Sequence, residues 1–236
     1  TELLIADLES VEKQITSNAK RAKGGDKEAK AKLEVLTIVG DVLQEGNPAR
    51  TADISSDQRD IYNQLQLLTA KPVLYVANVE EENAATGNDY SKQVEEMAAA
   101  SGGVSVIISA AIEAEVASLS DPEEKAEFLA DLGLEETGLK RIIAAGYGLL
   151  GLLTFFTVGP KEARAWTVVE GSTAPNAAGA IHTDFERGFI RAETIAYDDY
   201  IDCNGEQGAK DAGKMRAEGK EYIAKDGDIF HFRFNV

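Results

Sequence analysis

Apolar residues in the first forty-odd positions recur at helical spacing. Leu4, Leu8, Val11 and Ile15 fall three or four apart and paint one stripe on a helix running to about Lys23. Gly24-Gly25 interrupts the pattern. Asp26 is placed to cap a second helix, in which Ala29, Leu33, Leu36, Val39 and Leu43 form the matching stripe. Two such helices joined by a glycine turn predict an antiparallel, coiled-coil-like hairpin that ends at Gly46-Asn47-Pro48. Ser55 and Gln58 have capping-box spacing, which predicts a short helix through Asp60, Ile61 and Leu65.

The pattern then changes period. Val73 to Ala77 and Val104 to Ile108 are unbroken apolar runs, as in parallel strands covered on both faces. A helix over about Ser91 to Ala100 separates them, and Asp121-Pro122 opens another, giving a β-α-β-α order. Two strands are too few for a free-standing parallel sheet, so further strands are expected elsewhere. Ile142 to Phe156 is the longest apolar stretch; Gly146, Gly148 and Gly151 interrupt it, and it reads as buried core. Beyond Leu152, strand-like segments at Thr154 to Val158, Arg164 to Val169, Gly188 to Ile195 and Ile229 to Phe234 alternate with turns and short helices, as in a small α+β domain. The expected division is therefore 1–66, 67–152 and 153–236.

Composition narrows the possible functions. With 236 residues, 44% hydrophobic and 28% charged, the chain reads as an ordinary globular protein. The acidic start, Thr1-Glu2-Leu3-Leu4, has no basic flank or cleavage signature, so a cytoplasmic location without membrane anchorage is expected. A single cysteine, Cys203, excludes an intrachain disulfide, and Cys203, His182 and His231 match no familiar zinc spacing. A formal charge of −17 opposes nucleic-acid binding by the whole molecule and any DNA sequence recognition; contact with RNA would need a local basic patch.

Two basic sets meet that description. Lys20, Arg21, Lys23 and Lys27, with Lys13, Lys30 and Lys32 nearby, gather toward the hairpin tip. A solvated helix face is the plainer reading, but against the acidic background the cluster suits ribosomal RNA. Lys210, Lys214 and Arg216, followed by Lys220, form the second set, for which stem packing and pairing with Asp211 and Glu218 is the competing reading. His182-Thr183-Asp184 has dyad form, but no nucleophile accompanies it and a turn brace accounts for it. Trp166 and Phe185 read as core, and nothing near Cys203 supports redox sensing.

The most informative point is the carboxyl end of the first strand. Ligands of open parallel sheets bind outside such ends, and Asn78-Val79-Glu80-Glu81 stands there. G proteins carry Asn-Lys-x-Asp at this place, the Asn bracing the loop and the Asp reading guanine. Val79 replaces the lysine and Glu81 the aspartate, which should weaken guanine selectivity. The second strand ends at Ser109-Ala110-Ala111, where G proteins set a short loop against the base. Taken alone, either segment is an ordinary turn.

Taken together with Arg164-Ala165-Trp166-Thr167, His182 to Ala192, Lys225-Asp226-Gly227-Asp228 and the stretch from Gly205 to Val236, these segments make the chain resemble the YchF subfamily of Obg-like P-loop NTPases over essentially its whole length. The resemblance implies an α/β multidomain fold: the parallel sheet of a partial P-loop G domain, an antiparallel coiled-coil hairpin and a C-terminal β-grasp (TGS) domain. It also implies hydrolysis of ATP in preference to GTP with Mg²⁺, and association with ribosomes. Asn78 and Val79 would meet the adenine, Glu81 would stand where a guanine-reading Asp stands, and Ser109 and Ala110 would line the opposite side of the base. One departure is large, because no Gly-x-x-x-x-Gly-Lys-Ser/Thr string occurs. The chain is thus expected to be a fragment of a longer protein, inactive as an ATPase by itself. A non-catalytic adaptor for RNA or the ribosome is the alternative.

Overall fold

The computed structural model describes residues 1–235. The chain divides into two compact units, Thr1–Ala145 and Gly146–Val236. In the first, helix α1 (Glu2–Lys23) turns at Gly24-Gly25 and packs along α2 (Lys27–Gln44). The reversal uses Gly25 at φ +89°, and Asp26 caps α2 by accepting the Ala29 N–H at 3.1 Å. Val11, Val35, Leu36 and Val39 are fully buried between the helices, and the same cluster includes Tyr62, Leu65 and Leu67 beyond the hairpin. Buried Asp7 accepts the Leu68 and Thr69 N–H groups and the Thr69 hydroxyl, tying α1 to the segment that leads into the sheet.

Ser55 and Gln58 behave differently from expectation. Ser55 makes no capping bond to the backbone; its hydroxyl meets Gln58 Oε1 at 3.0 Å, and a 3-10 turn over Ser56–Gln58 precedes helix α3 (Arg59–Gln64). The pair therefore satisfies itself side chain to side chain.

Strands β1 (Leu74–Asn78) and β2 (Val104–Ile108) form a two-stranded parallel sheet, with α4 (Asp89–Ala100) between them in sequence. Next come α5 (Ala110–Ser118), α6 (Pro122–Asp131) and α7 (Gly138–Leu149). Coverage of both strand faces was the expectation, yet Val76 is 45% and Val104 37% exposed. With only two strands present, neither has the second neighbour that a central strand has. Ile142 to Phe156 also departs from a single buried run. Its first part lies in α7, where Ile143 is 52% exposed, and Leu150 beyond the helix is open as well; burial begins at Leu153 in β3.

The second unit is built on a mixed five-stranded sheet. Its strands are β3 (Leu152–Val158), β4 (Ala163–Val169), β5 (Phe189–Ile195), β6 (Arg216–Glu218) and β7 (Ile229–Phe234), in spatial order β4-β3-β7-β5-β6. The pairings are antiparallel except between β3 and β7. Period-two alternation sends Phe155, Phe230 and Phe232 to one face, where Ala174, Ala177 and Ala178 of α8 (Ala174–Ile181) let that helix approach closely. Three short helices, α9 (Thr183–Arg187), α10 (Tyr197–Asp202) and α11 (Glu206–Asp211), complete the unit.

Candidate functional site

The in-register pairs Leu74 with Val104 through Asn78 with Ile108 bring the carboxyl ends of β1 and β2 side by side. The Val79 N–H extends the ladder to the Ile108 carbonyl at 2.8 Å. Immediately beyond, Asn78 Oδ1 accepts the Ala110 N–H at 2.9 Å. Ala110 opens α5, and the first N–H groups of a helix have no partner within it. Ser109 occupies the N-cap position but makes no side-chain bond there, so Asn78 supplies the cap from the neighbouring strand. An amide at the end of an apolar strand thus locks the two loops of the rim together.

Ser109 itself is 3% exposed, and its hydroxyl has no hydrogen-bond partner among the described residues. At the strand-to-helix junction its side chain turns inward, and the exposed residues at that strand end are Ala110 and Ala111. On the other side Asn78 and Glu81 are exposed and Val79 is half-buried, with Glu81 opening a 3-10 turn over Glu81–Asn83. Glu80, Glu81 and Glu82 make this edge acidic, which suits the donor-bearing edge of a purine better than a phosphate. Glu113, one turn into α5, accepts the Gly138 N–H at 2.6 Å and the Leu139 N–H at 3.1 Å, so it caps α7.

At the hairpin tip Lys20, Lys23 and Lys27 are exposed and make no ion pair among the described residues. Arg21 is engaged: its guanidinium donates to Asp26 at 2.7 and 3.0 Å. The Ala29 N–H first, and then Arg21, hold the Asp26 carboxyl below the usual carboxylate range. In the second set, Lys210 is exposed, whereas Lys214 pairs with Asp199 at 3.0 Å and that pairing raises its pKa. Arg216 donates to Glu218 at 3.0 Å and to the Tyr222 hydroxyl at 3.2 Å. The partners of these two cations are spread over α10, β6 and the following turn, not set at the helical spacing that the sequence suggests.

His182 Nδ1 accepts the Asp184 N–H at 3.1 Å and caps α9, a local brace with no nucleophile attached. Trp166 and Phe185 pack partly buried against the aromatic core, Phe185 stacking on Phe234 at 3.9 Å between ring centres. Among the described residues no group of three or more His, Cys, Asp or Glu side chains could hold a metal ion, and no helix is long and apolar enough to cross a membrane.

Comparison with known proteins places this geometry in a family. Residues 152–235 match the YchF-GTPase_C family, described as "Protein of unknown function (DUF933)". The protein named ribosome-binding ATPase YchF of Haemophilus influenzae is 55% identical over 236 residues, covering all of this chain and 64% of the relative. Its namesake from Bacillus subtilis is 49% identical with the same coverage. The solved structure of the Schizosaccharomyces pombe YchF GTPase superposes with a TM-score of 0.85 at 35% identity, covering 98% of this chain and 63% of that one. This chain therefore spans just under two thirds of the length of the curated relatives it matches. Similarity that runs unbroken through the hairpin, the paired strand ends and the five-stranded sheet leaves one assignment: the chain belongs to the YchF family.

Proposed function

We propose that the rim formed by Asn78, Val79, Glu81 and Ala110, underlaid by Ser109, is the base-recognition half of a nucleotide site that prefers ATP to GTP. The observation that carries this reading is the bond from the Ala110 N–H to Asn78 Oδ1, which fixes both strand-end loops as one edge. The adenine lies along that edge, with Val79 and backbone groups on one side and Ala110 on the other. Glu81 stands one methylene too far out to grip the guanine edge as an aspartate would, so discrimination against GTP follows from the weakened pairing. Exposed Val76 and Val104 support the two strands' being part of a larger parallel sheet of a P-loop G domain.

The chain supplies no phosphate-binding loop, and its acidic residues offer no cluster fit for Mg²⁺ among the described residues. Accordingly this chain orients a base, and phosphoryl transfer with Mg²⁺ belongs to residues outside it. Three domains carry the work: a coiled-coil-like hairpin at 1–66, the G-domain portion at 67–152 and a TGS domain of β-grasp type at 153–236. Separate apolar clusters in the three stretches support that division.

The relatives' name, ribosome-binding ATPase, supports ribosome association as the output, through the lysines of the hairpin tip and Lys210. The unpaired state of Lys20, Lys23 and Lys27 among the described residues favours a second reading as well, an adaptor that binds ribosomal RNA without nucleotide control. The two separate on one experiment. Joined to a segment bearing a phosphate-binding loop, the chain should bind ATP more tightly than GTP, E81D should narrow that preference, and ATP should change ribosome co-sedimentation. Equal affinity for the two nucleotides in the unsubstituted protein overturns the base-recognition reading, and nucleotide-independent co-sedimentation favours the adaptor.

A further inference from the structure

A recessed site lies in the five-stranded unit. The hairpin of β3 and β4 closes through the Gly159 N–H bonded to the Glu162 carbonyl at 2.9 Å. Where this hairpin meets α8 and α9, a solvent-open crevice of about 560 Å³ is lined in part by Trp166, Ile181, Phe185, Phe230, Phe232 and Phe234. Pockets of roughly 300–1,000 Å³ with apolar and aromatic walls are typical of small-molecule sites.

The walls are fixed in place. The Trp166 indole N–H donates to the Thr157 hydroxyl at 2.9 Å, and the Arg164 guanidinium lies over the indole ring at 4.2 Å. Phe185 and Phe234 are stacked on one another, and Phe155, Phe230 and Phe232 interlock edge to face or tilted beneath. Such walls accept a flat ring system at little conformational cost. Lys161, Glu162 and His231 are the ionisable side chains of the lining, and Arg164, outside it, lies over the Trp166 ring. Lys161 and Glu162 offset one another within the lining, and Arg164 beside Trp166 tips the local balance to positive in a chain of net charge −17, which favours an anionic group next to the indole.

We propose that this crevice binds a small planar aromatic molecule that carries a sulfonate, carboxylate or phosphate, its ring among the Trp166, Phe185 and Phe234 side chains and its charge at Lys161 and Arg164. Trp166 is the only tryptophan of the chain, so the site carries its own reporter.

The test uses the full chain and 1-anilinonaphthalene-8-sulfonate as the probe. Expected are saturable one-to-one binding, quenching of Trp166 emission by energy transfer, and amide shift changes confined to 157–166, 181–185 and 230–234. The K161E/R164E double variant changes exposed side chains, and its amide spectrum confirms that the fold is kept. It should bind the sulfonate at least tenfold more weakly, and the uncharged N-phenyl-1-naphthylamine should bind the unsubstituted chain at least tenfold more weakly than the sulfonate. Absence of saturable binding, or shift changes elsewhere, overturns the proposal. Equal affinity of the double variant also overturns it, because the crevice would then be a generic apolar groove of the kind that docks a protein side chain.

Discussion

Replacing Asn78 by alanine removes the only side-chain acceptor that the structure gives the Ala110 N–H. Removal of one such bond at a helix start costs about 1 kcal/mol, a small drop measurable by chemical denaturation of the first unit. A different balance holds at Tyr222, whose hydroxyl donates to buried Asp228 at 2.8 Å. Burial first, and then the bond to Asp228, push its pKa up to about 12 from the ordinary 10.0. The neutral phenol is the form the fold favours, so its contribution is fully present below pH 10 and is lost as pH rises from there through about 12. Y222F should remove that alkaline decline from a stability-versus-pH profile, at a cost near neutrality of about 1–2 kcal/mol because Asp228 loses a partner. Glu193 works in the opposite direction. The Arg233 hydrogen bond, assisted by Arg191 and opposed by desolvation, lowers its pKa below 4.5, so its contribution is present above that value and fades as pH falls further. E193Q should flatten the acid limb of the same profile. Some of these roles are legible in the sequence and others are not. Asn78 stands out because an amide ends an apolar run, and Asp26 because it follows a glycine pair. Glu113 and Asp7 do not, since their partners lie 25 and 61 or 62 residues away, and no local pattern marks such a bond.

Elements with a strong period are readable. The two hairpin helices, β1 and β2 fall within a residue or two of the positions that spacing predicts, because burial on one stripe or along one run dictates them. Helix α5 carries no such signal: its sequence, Ala-Ala-Ile-Glu-Ala-Glu-Val-Ala-Ser, places few apolar side chains on a single stripe. Strand β6 is three residues long and exists only because β5 pairs with it. The apolar stretch from Ile142 misleads for another reason, since one continuous run serves a partly exposed helix and then a strand that buries Leu153 and Phe155. L36A should test the hairpin as an element. Leu36 is fully buried between α1 and α2, and its truncation should cost about 2–5 kcal/mol in the unfolding transition of the first unit. At the tip, changing Lys20, Lys23 and Lys27 to glutamine leaves that core untouched. It should weaken ribosome co-sedimentation and lower the salt slope of binding by roughly one unit for each phosphate no longer neutralised; an unchanged slope would take the tip out of the interface.

As a whole the molecule carries two kinds of surface in one acidic chain: an edge of Asn78, Val79, Glu81 and Ala110 at the ends of two strands, proposed above to meet a base, and lysines at the end of a helical hairpin that make no ion pair among the described residues. The chain spans 64% of relatives named for ATP hydrolysis and ribosome binding, and the phosphate-binding string those reactions require is not among its residues. The isolated chain should therefore release no phosphate from ATP above background in a magnesium-containing assay, and sustained turnover would contradict that division of labour. The family is legible in the sequence because strings such as His182 to Ala192 carry the resemblance on their own, whereas the inward turn of Ser109 is not, because burial at a junction depends on the packing around it. The base edge itself is tested most directly by calorimetry on the chain joined to a phosphate-binding segment, comparing ATP and inorganic tripolyphosphate as ligands for the unsubstituted and N78A proteins. The predicted result is about a tenfold drop in ATP affinity in N78A, equivalent to ~1.4 kcal/mol, with tripolyphosphate binding unchanged; ATP affinity equal in the two proteins would contradict a purine site at the paired ends of β1 and β2.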